Sequence, residues 1–388
     1  MTMILKILKG ISLNLTPKQL EQLKSFETCF IEYPAITEIY SIFDQLRFNH
    51  SLGGEPESFL LTGEAGSGKT ALINNYLSRF QSGSTWGKQP VLSTRVPSRI
   101  NEQNTLTQFL VDLDCKSGGR GIRRRNEIAL GEAVVKQLKR KSVELIIVNE
   151  IQELVEFSTA EQRQVIANTF KYISEEARVS FVLVGMPYAD VIATEPQWNS
   201  RLSWRRKIDY FKLLKANSHS SKTASYGFDL EQKKHFARFV AGLSSRMGFD
   251  EPPVLTKNEL LYPLFAMCRG ECRALKHFLK DALLTSFNDN ADTIDKAILS
   301  RTFAFKFPYL DNPFDRPLEQ LSLHQIDSGS AYHLNAITTE DKIVAPRFTD
   351  AIPLSMLLSK NGLKASEPTF HGLGCPTALL SLHHSFCQ

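Results

Sequence analysis

Cysteine is scarce in this chain: six in 388 residues, scattered from end to end. That excludes a disulfide-stapled scaffold, and the thiols read as reduced. Long hydrophobic runs are missing too, since no stretch approaches the roughly 18 uninterrupted apolar residues of a membrane span. The opening Met1-Thr2-Met3-Ile4-Leu5-Lys6-Ile7-Leu8 is apolar, but Lys6 and Lys9 break it and no small-residue cleavage site follows. It does not read as a secretory signal, so a cytoplasmic protein with no membrane partner is expected. No internal repeat is present, and nothing matches a helix-turn-helix or zinc-finger reader. His371, Cys375, His383, His384 and Cys387 gather near the end, but no glycine or aromatic framework surrounds them and no zinc module is expected there. Charge of one sign is not in large excess either, the net value being +5.

What is present is an ordinary globular composition, 42% hydrophobic and 22% charged. The length exceeds one ordinary core and implies two domains with appendages. The most informative stretch is Phe59-Leu60-Leu61-Thr62-Gly63-Glu64-Ala65-Gly66-Ser67-Gly68-Lys69-Thr70. A short apolar run enters a glycine-rich turn and a helical pattern leaves it, and Gly63 to Thr70 fits G-x-x-x-x-G-K-[ST] without mismatch. Gly63, Gly66 and Gly68 allow backbone N–H groups to turn inward around a triphosphate, with Glu64, Ala65 and Ser67 completing the loop. The helix that starts at Lys69 adds its N-terminal partial charge. Lys69 suits the β- and γ-phosphates, and the Thr70 hydroxyl suits magnesium. ATP and magnesium are the expected cofactors.

The rest of the chain supports that assignment. Thr16-Pro17-Lys18-Gln19 is a capping box with proline at the first helical position, opening a helix to about Phe30. A second helix spans about 35–48. Further apolar strand patterns lie at 90–94, 143–148 and 180–185, separated by helical patterns at 106–113, 122–141 and 159–177. Strand and helix in alternation imply an α/β fold, a parallel sheet with helices on both faces and ligands at the carboxyl ends of the strands. From Asp229 the pattern is all-helical to about 303. Beyond Pro308 prolines spread through polar sequence. The expected organisation is an N-terminal helical extension (1–34), a nucleotide-binding α/β domain (35–226), a small all-α lid domain (227–307) and an extended tail (308–388). In the tail, Asn312-Pro313-Phe314-Asp315 and the apolar residues of 348–358 suit docking on a partner.

Charge and chemistry add candidates. Residues 91–142 hold eleven Lys/Arg against five Asp/Glu, and residues 201–215 hold six against one, an imbalance suited to a polyanion. Arg95, Arg99, Lys116, Arg120, Arg123, Arg124 and Arg125 lie on loops and helix starts where cations reach phosphate. They are the expected DNA contacts, independent of sequence and sensitive to salt. The strand 145–148 runs into Asn149-Glu150, where Glu150 can act as general base and Asn149 can bond a metal-bound water but lacks charge. Phe157, Phe170, Tyr172 and Phe181 read as core, as do Cys268 and Cys272.

Three stretches carry a resemblance: Gly63–Thr70, the strand into Asn149-Glu150-Ile151-Gln152-Glu153-Leu154, and Phe181-Val182-Leu183-Val184-Gly185-Met186-Pro187. Together they resemble the TnsC/TniB-type AAA+ regulators of transposition, in order and spacing, over about 35–305. Glu195-Pro196-Gln197-Trp198-Asn199-Ser200-Arg201-Leu202 with Arg205-Arg206-Lys207 is similar to the segment carrying that family's inter-subunit arginine. Gly270-Glu271-Cys272-Arg273 looks like the start of its lid helix. The resemblance implies an ATPase that forms rings or helical filaments, six or seven subunits per turn, on double-stranded DNA. It implies partners as well: a TniQ-type target-selection protein, a transposase and the transposase's partner endonuclease. Arg201, with Arg205 second, would be the arginine finger, and Arg273 the lid residue that senses nucleotide. Two departures, Asn149 for the expected aspartate and Met186 for a polar residue, imply weak or conditional hydrolysis. Competing readings are a helicase-loader-like or other remodelling ATPase, which strong DNA-stimulated turnover would favour, and a signalling NTPase with no DNA role.

Overall fold

The computed structural model describes residues 15–81, 87–114, 127–216 and 226–360. Two helices precede the sheet, α1 (Pro17–Thr28) and α2 (Pro34–Ser51), each entered at a proline, and α1 by the expected Thr16/Gln19 capping box. Then follow β1 (Ser58–Gly63), α3 (Lys69–Gln81), β2 (Val91–Arg95), α4 (Glu102–Asp112), α5 (Glu127–Arg140), β3 (Leu145–Asn149), α6 (Glu153–Phe157), α7 (Ala160–Ala177), β4 (Ser180–Gly185), α8 (Pro196–Asn199) and β5 (Leu202–Ile208). The five strands form one parallel sheet in the order β2-β3-β4-β1-β5.

Strand alternation sorts the side chains onto two faces. Phe59, Leu61, Ile147 and Val184 pack with Ile39, Phe43 and Leu46 of α2 and Leu72 and Tyr76 of α3. Leu60, Ile146, Val148 and Leu183 pack on the opposite side with Phe109 of α4, Val134 of α5 and Phe170 of α7. The near-continuous apolar runs of β1, β3 and β4 follow from this, because both faces are covered. Phe170 and Phe181 are core, as expected, whereas Phe157 and Tyr172 are exposed at 62% and 40%. The helical period places those two on outer faces.

A short hairpin, β6 (Leu214–Ala216) with β7 (Tyr226–Phe228), leads to α9 (Leu230–Ser245), α10 (Asn258–Cys268), α11 (Cys272–Asn288) and α12 (Lys296–Lys306). These helices share one core, to which α1 contributes Phe26. Cys268 and Cys272 are buried in it as expected.

The stretch after Pro308 corrects the expectation of an extended tail as far as the described residues run. Phe314, Leu321, Leu323, Leu354 and Leu357 lie in the helical core. Phe314 stacks on Phe278 with centroids 5.6 Å apart. Ser322–Leu323 pairs with Ile352–Pro353, Ile326–Ser328 with Arg347–Phe348, and Ala331–Tyr332 with Ile343–Val344, before α13 (Leu354–Lys360). Phe314 of one supposed docking segment and Leu354 and Leu357 of the other are therefore spent on this chain's own core. Residues 312–357 form a strap over the helices. The His/Cys group at 371–387 lies outside the described residues.

Candidate nucleotide-binding site

β1 delivers the loop Gly63–Thr70 at its carboxyl end, and three observations explain the glycines. Gly66 and Gly68 have φ of +79° and +101°, where a side chain is strained. A Cβ on Gly66 would lie 2.1 Å from Glu271 Oε1, and one on Gly63 would lie 2.6 Å from the Ile208 carbonyl oxygen. A Cβ on Gly68 would meet nothing within 4 Å, so only its backbone conformation demands glycine. Lys69 Nζ donates to the carbonyls of Gly63 (2.6 Å) and Glu64 (2.9 Å). Burial draws its pKa down to about 8, against the opposing pull of Glu150 and Glu64, while Arg273 lowers it further.

The second contribution comes from β3 and β4. Glu150 turns out of β3 with φ +58°. The chain then returns so that Ile151 N–H donates to the Val184 carbonyl at 3.0 Å. Gln152 is buried, donating through Nε2 to Glu150 Oε2 (2.6 Å) and accepting the Met186 N–H at Oε1 (3.2 Å). Asn149 faces elsewhere: its Nδ2 donates to Ser93 Oγ (3.1 Å) and the Thr94 carbonyl (3.0 Å) on β2.

The helices supply the third side. Arg269 and Gly270 both take positive φ, and Gly270 packs so tightly on Phe211 that a Cβ would lie 2.1 Å from its carbonyl oxygen. That turn starts α11 beside the loop, where Arg273 N–H donates to the Gly66 carbonyl at 3.1 Å. Tyr210 Oη closes the seam by donating to the Ala65 carbonyl at 2.5 Å. Lys276 Nζ donates to the carbonyls of Glu27 and Cys29, both at 2.8 Å, drawing the segment between α1 and α2 onto α11.

These elements enclose a cavity of about 340 Å³, lined by the loop from Ala65 to Ala71, by Glu150 and Met186, by Arg273, Lys276 and His277, and by an apolar wall of Phe30, Ile31, Tyr33, Ile36, Phe239 and Leu243. Ser67 Oγ is buried within the loop and makes no hydrogen bond among the described residues. A polar, glycine-lined end opening toward an apolar end fits a nucleoside triphosphate, phosphates on the loop and base on the wall. For magnesium, Thr70 stands at the cavity, but Asn149 is not part of its lining and its amide nitrogen is committed to β2. Among the described residues no group of three His, Cys, Asp or Glu side chains could hold a metal by itself.

The strap reaches the same site from outside. Glu64 is 1% exposed, and its two carboxylate oxygens accept the backbone N–H and the hydroxyl of Ser330, each at 2.6 Å. Tyr332 Oη donates to the Glu156 carbonyl (3.1 Å) and its ring stacks on Tyr188. Gln325 bonds the backbone of Leu213 and Leu214. Sequence reasoning missed these contacts and the apolar wall at 30–36. The Tyr33-Pro34 break was the one local signal for the wall, and nothing near Ser330 marks it.

Arg201 and Arg205 lie apart from the cavity. The Arg201 carbonyl accepts the Ser58 N–H at 2.9 Å, which places it at the amino end of β1. The loop is at the other end, about 20 Å away for a six-residue strand. Arg201 pairs with Glu175, its side chain 16% exposed, and its Nη1 is buried without a hydrogen bond among the described residues. Arg205 Nη2 donates to Asn199 Oδ1 at 2.8 Å. The basic excess at 201–215 is answered in part by the fold: Arg201 and Arg206 meet Glu175 and Glu38 from outside the stretch, while Lys207 and Lys212 share Asp209, the one acid within it. Arg95 and Arg99 are exposed at and just beyond the carboxyl end of β2. Lys116, Arg120 and Arg123–Arg125 lie outside the described residues.

Comparison with known proteins agrees with this geometry. The Aeropyrum pernix ORC2 protein, solved as ADPNP–ADP complexes, is 14% identical, with a TM-score of 0.54 over 72% of this chain and 71% of that one. The Aeropyrum pernix ORC1 protein in complex with DNA is 15% identical, with a TM-score of 0.51 over 75% and 70%. Cdc6p from Pyrobaculum aerophilum is 11% identical, with a TM-score of 0.51 over 76% and 74%. At such identities the likeness establishes the fold alone. No curated protein matches the chain in sequence. The family model described as bacterial TniB protein matches residues 24–210, which run from α1 through all five strands of the sheet. That segment is just under half of the chain, and over it the chain is similar to the bacterial TniB family, on a fold shared with the ORC and Cdc6 proteins.

Proposed function

We propose that this protein binds ATP in the 340 Å³ cavity and, with ATP bound, assembles head to tail on double-stranded DNA as a regulator of transposition. The observation that carries the reading is the division of charge along one sheet. Lys69, Thr70, Glu150 and Arg273 surround the cavity at the carboxyl end of β1, while Arg201 stands at its amino end. An arginine placed there cannot reach its own chain's triphosphate; on leaving Glu175 it would serve a neighbour's, with Arg205 beside it as the second candidate.

Loop N–H groups and Lys69 would bind the β- and γ-phosphates, the Thr70 hydroxyl would hold magnesium, and Arg273 would report the triphosphate to the helical lid. Magnesium would supply charge neutralisation on the same phosphates. Glu150 accepts a proton from the attacking water as the γ-phosphoryl leaves ADP. Asn149 brings no negative charge and Met186 no hydrogen-bonding side chain, so hydrolysis is weak or conditional and assembly depends on binding. Arg95 and Arg99 contact phosphate, which makes DNA binding independent of sequence and steeply dependent on salt. A DNA complex on the same fold, that of ORC1, supports this part. The assembly would connect a TniQ-type target-selection protein to a transposase and its partner endonuclease.

The test is electron microscopy and gel mobility shift with duplex DNA and a non-hydrolysable ATP analogue. The parent is expected to coat DNA, whereas Lys69→Ala and Arg201→Ala are expected not to. Normal assemblies from either variant would sink the reading.

A further inference from the structure

Glu150, in a left-handed conformation just past β3, lines the cavity. One side chain restrains it. Gln152 lies behind the cavity wall, 7% exposed, and both ends of its amide are engaged. Oε1 accepts the Met186 N–H at 3.2 Å, the donor with which β4 leaves the sheet, and Nε2 donates to Glu150 Oε2 at 2.6 Å. The fit is close: a Cβ on Gly185 would lie 2.9 Å from Gln152 Oε1 and 2.8 Å from Ile151 Cγ2. An amide can accept from a backbone N–H at its oxygen and donate to a carboxylate from its nitrogen at the same time.

We infer that Gln152 is a positioning residue that ties the Glu150 carboxylate to the end of β4, so that the backbone at Met186, rather than its side chain, governs where the base points. The inference rests on Glu150 being the base of the proposed ATPase. It offers a reason why a thioether is tolerated at Met186: the polar link to the γ-phosphate side of the site runs through main chain and Gln152. Gln152 does not line the cavity, so it acts on turnover through Glu150 and leaves nucleotide affinity alone.

The experiment compares steady-state ATP turnover with saturating duplex DNA, and affinity for a non-hydrolysable analogue, in the parent, Gln152→Met, Gln152→Glu and Glu150→Gln. Gln152→Met keeps the length and loses the donor, and kcat is expected to fall about tenfold or more, the ordinary scale of a misplaced general base, with analogue affinity unchanged. The carboxyl introduced by Gln152→Glu repels Glu150 when ionised and reproduces the amide's donor and acceptor when protonated. Its turnover relative to the parent should therefore recover as pH falls from about 8 to about 6. Parent-like kcat in Gln152→Met overturns the inference, and so does a Gln152→Glu deficit that is constant with pH. If Gln152→Met does not fold, the pH profile of Gln152→Glu decides alone. Parent-like turnover in Glu150→Gln would fail the assignment of the base itself, whereas loss in Glu150→Gln with retention in Gln152→Met fails only the role of Gln152.

Discussion

The loop Gly63–Thr70 and the strap 312–357 meet at one carboxylate, Glu64, yet opposite kinds of force hold them. The loop is local. Its shape follows from three glycines within six residues, two of them at positive φ, and from a strand and a helix that begin and end on it. Before α13 the strap has little regular structure of its own, since its strands are two or three residues long. It is held by apolar side chains sunk into a core built by other helices, and by Ser330 on Glu64, 266 residues away in sequence. Backbone preference makes the first, and burial makes the second. A strap of this kind links the helical region to the phosphate loop without adding any group to the cavity.

The comparison can be broken at the strap's anchor. Phe314→Ala removes a fully buried ring stacked on Phe278 and is expected to cost about 3–5 kcal/mol. Chemical denaturation monitored with the chain ligand-free would show it, and a loss below about 1 kcal/mol would mean the strap is not part of the core. The loop is broken by Lys69→Ala, which removes the charge-assisted bonds to phosphate. Nucleotide affinity should drop about 100-fold, by calorimetry, with the melting temperature of the ligand-free protein nearly unmoved. Glu64→Ala strikes where the two regions join. It strands the Ser330 N–H and hydroxyl, costing about 1–3 kcal/mol, and should speed amide exchange over 326–348 more than over the helices.

A smaller effect sharpens the electrostatics of the loop. Burial holds the Lys69 pKa down to about 8 in the ligand-free chain, and a bound triphosphate favours the charged form. Binding above that pH must therefore take up a proton. Affinity is expected to be level below about 8 and to weaken by up to tenfold per pH unit above it. Affinity that is flat from about pH 7 to 10 would show that Lys69 is already charged throughout.

Much of the fold was legible because the sheet is buried on both faces. Leu145–Val148 and Phe181–Val184 read as continuous apolar runs, and the first helix, ahead of the sheet, carried its capping box at Thr16. The site was legible where its residues adjoin in sequence, at Gly63–Thr70 and at Asn149-Glu150. Even there the structure altered one role, for the Asn149 amide turns to β2 rather than lining the cavity. Basic runs were a poorer guide. The excess at 201–215 meets Glu38 and Glu175, carboxylates a window on that stretch does not contain. Phe157 and Tyr172 show the limit from the other side, since an aromatic residue in an amphipathic helix is core or surface according to where the neighbouring element lies.

The order of residues alone determined the phosphate loop, the alternation of strands and helices, and the identity of a lysine, a threonine and a glutamate fit for phosphate chemistry. These depend on backbone conformation and on spacings shorter than one element. The tertiary structure alone decided which apolar residues wall the cavity, that Gln152 restrains Glu150, that Arg201 stands at the far end of the sheet, and that Phe314, Leu321, Leu323, Leu354 and Leu357 belong to the core. Those outcomes turn on which surfaces exclude water together, and a contact between Glu64 and Ser330 leaves no trace at either position until the chain has folded around both.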